Sequence, residues 1–160
     1  NLQRAYEDGS DMAAREAMAL ASFYAGLAFT KAYVGYVHAF SHKLGGMYGV
    51  PHGLANAITL PYVLDFIKDA PLARERLAKL AVVIGAGSAG EAEGVLAQRF
   101  IDRVRELNRG VGIPDKVAAL KPADVPTVAR AAMVEAARDY PVPKNMSLRE
   151  AETLLQRMLG

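Results

Sequence analysis

The stretch Val37-His38-Ala39-Phe40-Ser41-His42-Lys43-Leu44-Gly45-Gly46-Met47-Tyr48-Gly49-Val50-Pro51-His52-Gly53 decides how this chain is read. It holds all three histidines among the 160 residues. His38 and His42 stand four apart, so on a helix they project from one face. The pair Gly45-Gly46 predicts a stop after about Leu44. Pro51 suits the first turn of a new helix, where a missing N–H costs nothing. The chain then folds back, His52 begins the second helix near the first pair, and three imidazoles line one pocket.

The flanks read as helices too. Met12 to Ala28 is rich in Ala, Leu and Met, with Ser10 or Asp11 as N-cap, which predicts a largely buried helix. The helix of His38 is expected from about Tyr33, and that of His52 to about Ile67. After Pro71, Leu72, Leu77, Leu80, Ala81 and Ile84 keep helical spacing, with Arg74, Glu75, Arg76 and Lys79 on the other face. Val95, Leu96, Phe100, Ile101, Val104 and Leu107 predict a further helix over 91–107, ended by Asn108 and Gly110. Two more are expected over 123–138 and 148–159, the last begun by the capping box of Ser147 and Glu150. Nothing alternates like a strand, so the fold class is all-α, a single domain over 1–160.

Composition narrows the function. Hydrophobic residues make up 52% of the chain, enough for one core. The net charge of +2 has its Lys and Arg interleaved with Asp and Glu, which points away from a nucleic-acid partner. No apolar run escapes charge or Gly/Pro punctuation long enough to span a membrane. The absence of cysteine removes disulfides, thiolate zinc sites and a thiol nucleophile, and fits a cytoplasmic setting. The start, Asn1-Leu2-Gln3-Arg4, has no initiator Met and no secretory leader, so the chain reads as a piece of a longer protein.

Neutral imidazole is a common ligand for iron(II) and zinc, and a catalytic metal site keeps one position open. A lone histidine on an apolar helix is ordinarily a hydrogen-bonded structural residue; three within one 15-residue window invite the metal reading. The window with its continuation through Asn56 resembles the second signature of the iron-containing (group III) alcohol dehydrogenases. The flanks agree, from Asp11-Met12-Ala13-Ala14-Arg15-Glu16 through Gly26 to Leu60-Pro61, and the resemblance runs to about Gly112 and more loosely beyond.

That resemblance implies the helical fold of the dehydroquinate synthase-like type. It makes His38 and His52 two of the metal ligands. His42 matches the family's non-ligand histidine beside the metal and the nicotinamide, a candidate for positioning or proton relay. The two remaining ligands, an Asp and a His, lie upstream in the family, and no Asp-x-x-x-His pair precedes His38 here. The N-terminal nucleotide-binding domain also lies upstream, and residues 1 to 37 contain no phosphate loop. The implied activity of the intact enzyme is reversible oxidation of a small alcohol to an aldehyde or ketone, with Fe2+ or Zn2+ and NAD or NADP. The chain alone is then expected to be inactive. An apolar face left by the missing half would favour association into a homo-oligomer. A stand-alone metal-binding module using all three histidines, and a metal-independent reductase of the same family, are the alternatives.

One motif competes. Leu80-Ala81-Val82-Val83-Ile84-Gly85-Ala86-Gly87-Ser88-Ala89-Gly90 matches the apolar run and G-x-G-x-x-G of a dinucleotide loop. Residues 72–84 have helical spacing, however, and Asp102 and Glu106 sit in an amphipathic helix where an acidic strand end is needed. A glycine-rich turn between helices is the simpler reading. Asn56, one turn after His52, has the spacing either to contact the site or to hold the backbone; Lys43 reads as solvated, and Phe23, Phe29, Tyr33 and Tyr36 as core.

Overall fold

The computed structural model describes residues 1–160, the side chain of Asp139 excepted. The described residues form α1 (Leu2–Glu7), α2 (Met12–Ala32), α3 (Tyr36–Tyr48), α4 (His52–Ile67), α5 (Pro71–Val83) and α6 (Glu93–Gly110). A short 3-10 turn (Pro122–Asp124) then leads into α7 (Val125–Asp139) and α8 (Leu148–Arg157). The only β pairing among them is one bridge between Val117 and Leu159. The all-α expectation stands. The short α1 was not anticipated.

Helix α3 is central because its two faces differ. Tyr36, Phe40 and Leu44 recur every four residues and are buried, Phe40 and Leu44 completely. They pack in one core with Ile58 of α4, Val128 and Ala132 of α7, and Leu155 of α8. His38 and His42 lie about 200° around the helix from Phe40 at the helical step, so burying one stripe turns the other outward. The Tyr36 hydroxyl accepts the Met146 N–H at 2.8 Å and ties the start of α3 to the connector before α8.

The expected stop at Gly45-Gly46 is corrected: α3 runs through both and ends at Gly49, in the left-handed region at φ 68°. Glycine lowers helix propensity by about 1 kcal/mol without breaking a helix whose neighbours Leu44 and Tyr48 pack inward. At Gly45 a β-carbon would stand 3.4 Å from the Val50 carbonyl oxygen, so the glycine keeps room for the returning chain.

Helix α4 contains Pro61, which leaves the Ala57 carbonyl without its intrahelical donor. Asn108 of α6 supplies one, its Nδ2 donating to the Ala57 oxygen at 2.7 Å. Asn108→Leu is therefore expected to destabilise the fold by about 1–3 kcal/mol, and much less in a Pro61→Ala background, where the helix supplies its own donor. Chemical denaturation of the four proteins measures this, and equal losses in both backgrounds would sink it.

The glycine-rich segment after α5 is a turn. Leu80 to Val83 belong to α5, and Glu91 Oε1 accepts both the Ser88 N–H at 2.7 Å and Arg99 Nη1 at 2.9 Å. A carboxylate thus fills the place a phosphate would need. The α8 capping box is present as expected, with Ser147 and Glu150 bonded reciprocally.

Helix α2 is corrected most. It runs to Ala32, capped by Asp11 through the Ala14 N–H at 2.9 Å, but Ala14 is its only buried residue among those described. Phe23, Tyr24, Leu27, Phe29 and Tyr33 are all more than half exposed. Within the described residues its main neighbour is α1, and its apolar face stays open. No single helix is long and apolar enough to cross a membrane.

Candidate metal and nicotinamide site

The chain between α2 and α3 bends by 109° at Tyr33, whose φ of 60° and ψ of −171° lie in a region almost reserved for glycine. That bend directs α3 across the end of α4. The three histidines then meet as expected. Ring centroids are 5.3 Å apart for His38 and His52, 5.3 Å for His42 and His52, and 5.8 Å for His38 and His42.

The inter-ring angles differ. Imidazole lone pairs lie in the ring plane, so two stacked rings cannot share an ion, while inclined planes can meet at one. His38 is inclined to His52 by 53° and to His42 by 72°, whereas His42 stacks on His52 at 19°. Two imidazoles bound at about 2.1 Å through a ring nitrogen place their centroids on the order of 5 Å apart at tetrahedral angles. His38 and His52 meet that spacing. The pair is incomplete as a site: among the described residues no three His, Asp or Glu side chains are grouped to hold an ion. The donors fit a borderline divalent metal in kind and fall short in number.

Each ring is held differently. Burial, followed by the positive charge that His52 and His42 can carry, pushes the His38 pKa down, which keeps it the neutral imidazole a metal requires. His52 Nε2 lies 2.9 Å from Asn56 Nδ2, and Asn56 Oδ1 accepts a 2.6 Å hydrogen bond from Ser41 Oγ. Ser41 is fully buried, so the Ser41–Asn56 pair anchors His52 to α3. Asn56 thus occupies Nε2, so His52 can turn only Nδ1 to a metal. That requires the amide reversed, its oxygen accepting from Nε2–H and its nitrogen donating to Ser41 Oγ.

His42 faces α7. Its Nδ1 is 2.7 Å from Glu135 Oε1, while Lys43 Nζ is 2.5 Å from Oε2 and the Tyr140 hydroxyl donates to Oε1 at 2.5 Å. Partial burial works to raise the Glu135 pKa, but the hydrogen bonds from Lys43, Tyr140 and His42 outweigh it and hold it at about 2. Lys43 is accordingly an ion-paired residue, not the solvated lysine its sequence position suggested. Beside His38 opens a shallow pocket of about 550 Å³, lined by Phe29, Tyr33, Asn56 and Leu60 among others. Phe29 and Tyr33, expected in the core, are instead its walls; Tyr36 is core as expected.

Sequence reasoning left Asn56 undecided between site and backbone and missed Glu135 altogether. Asn56 had the helical spacing from His52 to be found. Glu135 had no local sign, since it is 93 residues from His42 and only the packing of α7 on α3 brings it there.

Fold and site together define an all-helical domain that brings three histidines together beside an apolar pocket. The sequence profile of the Fe-containing alcohol dehydrogenase family, C-terminal region, matches residues 1–159. The chain belongs to that family. It is 41% identical over 135 residues to the 1,3-propanediol dehydrogenase of Klebsiella pneumoniae, covering 83% of this chain and 34% of that protein. It is 38% identical over 136 residues to alcohol dehydrogenase 4 of Saccharomyces cerevisiae, covering 85% and 35%. A crystal structure of a 1,3-propanediol oxidoreductase superposes with a TM-score of 0.92 at 34% identity, covering 99% of this chain and 41% of that one. The chain thus spans little more than a third of the relatives it matches.

Proposed function

We propose that residues 1–160 are the helical metal-binding domain of an NAD- or NADP-dependent alcohol dehydrogenase that interconverts a small alcohol with its aldehyde or ketone. The observation that carries this reading is the inclined pair His38 and His52, 5.3 Å apart, beside the apolar pocket. His38 and His52 would hold iron(II), or zinc, together with ligands from the part of the enzyme this chain does not span. When bound, that metal supplies a Lewis acid that favours the alkoxide form of the alcohol. His38 stays neutral for that task, Asn56 and Ser41 orient His52, and Phe29 and Tyr33 keep water from one side of the pocket. His42 would serve the nicotinamide side as a positioning or proton-relay group. The nucleotide-binding domain and the cytoplasmic setting belong to the same proposal. So does the role of α2, whose exposed apolar face fits a covering domain and, uncovered, would draw copies of the chain together.

The test compares this chain with a protein extended upstream to the length of its relatives, both loaded anaerobically with iron(II) or zinc. The longer protein is expected to retain about one metal and to reduce NAD or NADP with small alcohols, the short chain to do neither. Tight metal binding by the short chain that requires His42 would replace this reading with a self-contained three-histidine module. Alcohol-dependent turnover by a metal-free long protein would replace it with a metal-independent reductase.

A further inference from the structure

We propose that Glu135 is a positioning residue for His42, fixing that imidazole as its Nδ1–H tautomer and leaving Nε2 as an acceptor directed away from α7. The functional weight of this inference rests on the proposed role of His42; the tautomer itself does not.

Lys43 Nζ lies 2.5 Å from Glu135 Oε2, an ion pair that keeps the carboxylate charged, and an ionised carboxylate only accepts. At 2.7 Å from Oε1, His42 Nδ1 must therefore be the donor. The two nitrogens of an imidazole point in widely different directions, so a ring tethered to α7 through Nδ1 presents Nε2 to the opposite side. That nitrogen is then the one available to a ribose hydroxyl, an alcohol or a water.

The carboxylate is itself fixed. Lys43 holds Oε2 from α3, next in sequence to His42, and Tyr140 donates to Oε1 from the end of α7. Three groups on two oxygens leave little freedom to rotate, and the Glu135 side chain is only 23% exposed. An ordinary surface ion pair between Lys43 and Glu135 would need neither the tyrosine nor the histidine, and such pairs contribute little. The arrangement instead has the logic of a carboxylate behind a working histidine, where it selects the tautomer and limits ring rotation.

The tautomer is directly measurable. With histidine labelled by nitrogen-15, long-range proton–nitrogen spectra of this chain in alkaline buffer should show His42 protonated at Nδ1 and bare at Nε2. Glu135→Gln should give a mixture or the reverse, because an amide can donate to the ring as well as accept from it. Lys43→Met should keep the wild-type pattern, since the carboxylate remains. In the extended enzyme Glu135→Gln should lower kcat on the order of 10- to 100-fold with KM little changed, and Glu135→Asp should restore part of it. A wild-type His42 protonated at Nε2, or a Glu135→Gln spectrum identical to wild type, would overturn the proposal. The role of His42 fails separately, if His42→Ala leaves kcat intact. The wild-type spectrum needs no variant, so a poorly folded mutant cannot leave the matter open.

Discussion

Replacing His38 or His52 by alanine, in a protein extended to the length of its relatives, should lower iron(II) and zinc affinity by more than about 100-fold. The loss of a mere supporting residue costs about 10- to 100-fold in metal affinity, so the loss of a ligand must exceed it. The one other imidazole near them is His42, at 5.8 Å from His38 and 5.3 Å from His52. The planes of His38 and His52, inclined by 53°, can meet at an ion; His42 is inclined to His38 by 72° as well, but it stacks on His52 at 19° and its Nδ1 is engaged by Glu135. His42→Ala is accordingly expected to keep the metal and to lose kcat, by on the order of 100- to 10,000-fold if it acts in proton transfer. Metal content after dialysis and competition titration with a chelator give both numbers. Equal metal loss in all three variants would show that His42 is a ligand and undo the division of roles.

Phe40→Ala should be the costliest core substitution at the site's back wall, at about 3–5 kcal/mol. Phe40 is completely buried, packed among residues of α3, α4, α7 and α8, and its removal leaves a cavity that four helices cannot close together. For a chain of this size that corresponds to a fall of roughly 10 °C or more in Tm. Phe40→Leu should recover most of it, because volume and apolarity are nearly kept. Thermal unfolding followed by circular dichroism reports the effect. A loss below about 1 kcal/mol for the alanine variant would mean that the stripe Tyr36, Phe40 and Leu44 does not set the position of α3. Because His38 and His42 share that helix, the alanine variant should also broaden their ring signals.

The helices were legible in the sequence because periodicity and caps are local. The boundaries that failed did so for identifiable reasons. Gly45-Gly46 was read as a stop from propensity alone, and the packing of Leu44 and Tyr48 overrode it until Gly49, whose positive φ ends the helix. Helix α2 was read as buried from its apolarity, but apolarity records a need for cover and not where the cover is. Lys43 was read as solvated because its partner Glu135 belongs to another helix.

What the sequence determined by itself was the all-α class and the meeting of three histidines. Both depend on spacings of a few residues, through the helical repeat and the turn that Gly49 and Pro51 permit. Only the tertiary structure decided which rings are inclined and which are stacked, that Asn56 holds His52, and that Glu135 stands behind His42. Those relations depend on how α4 and α7 pack against α3. Packing is set by side chains far apart in the chain, so no local pattern encodes it.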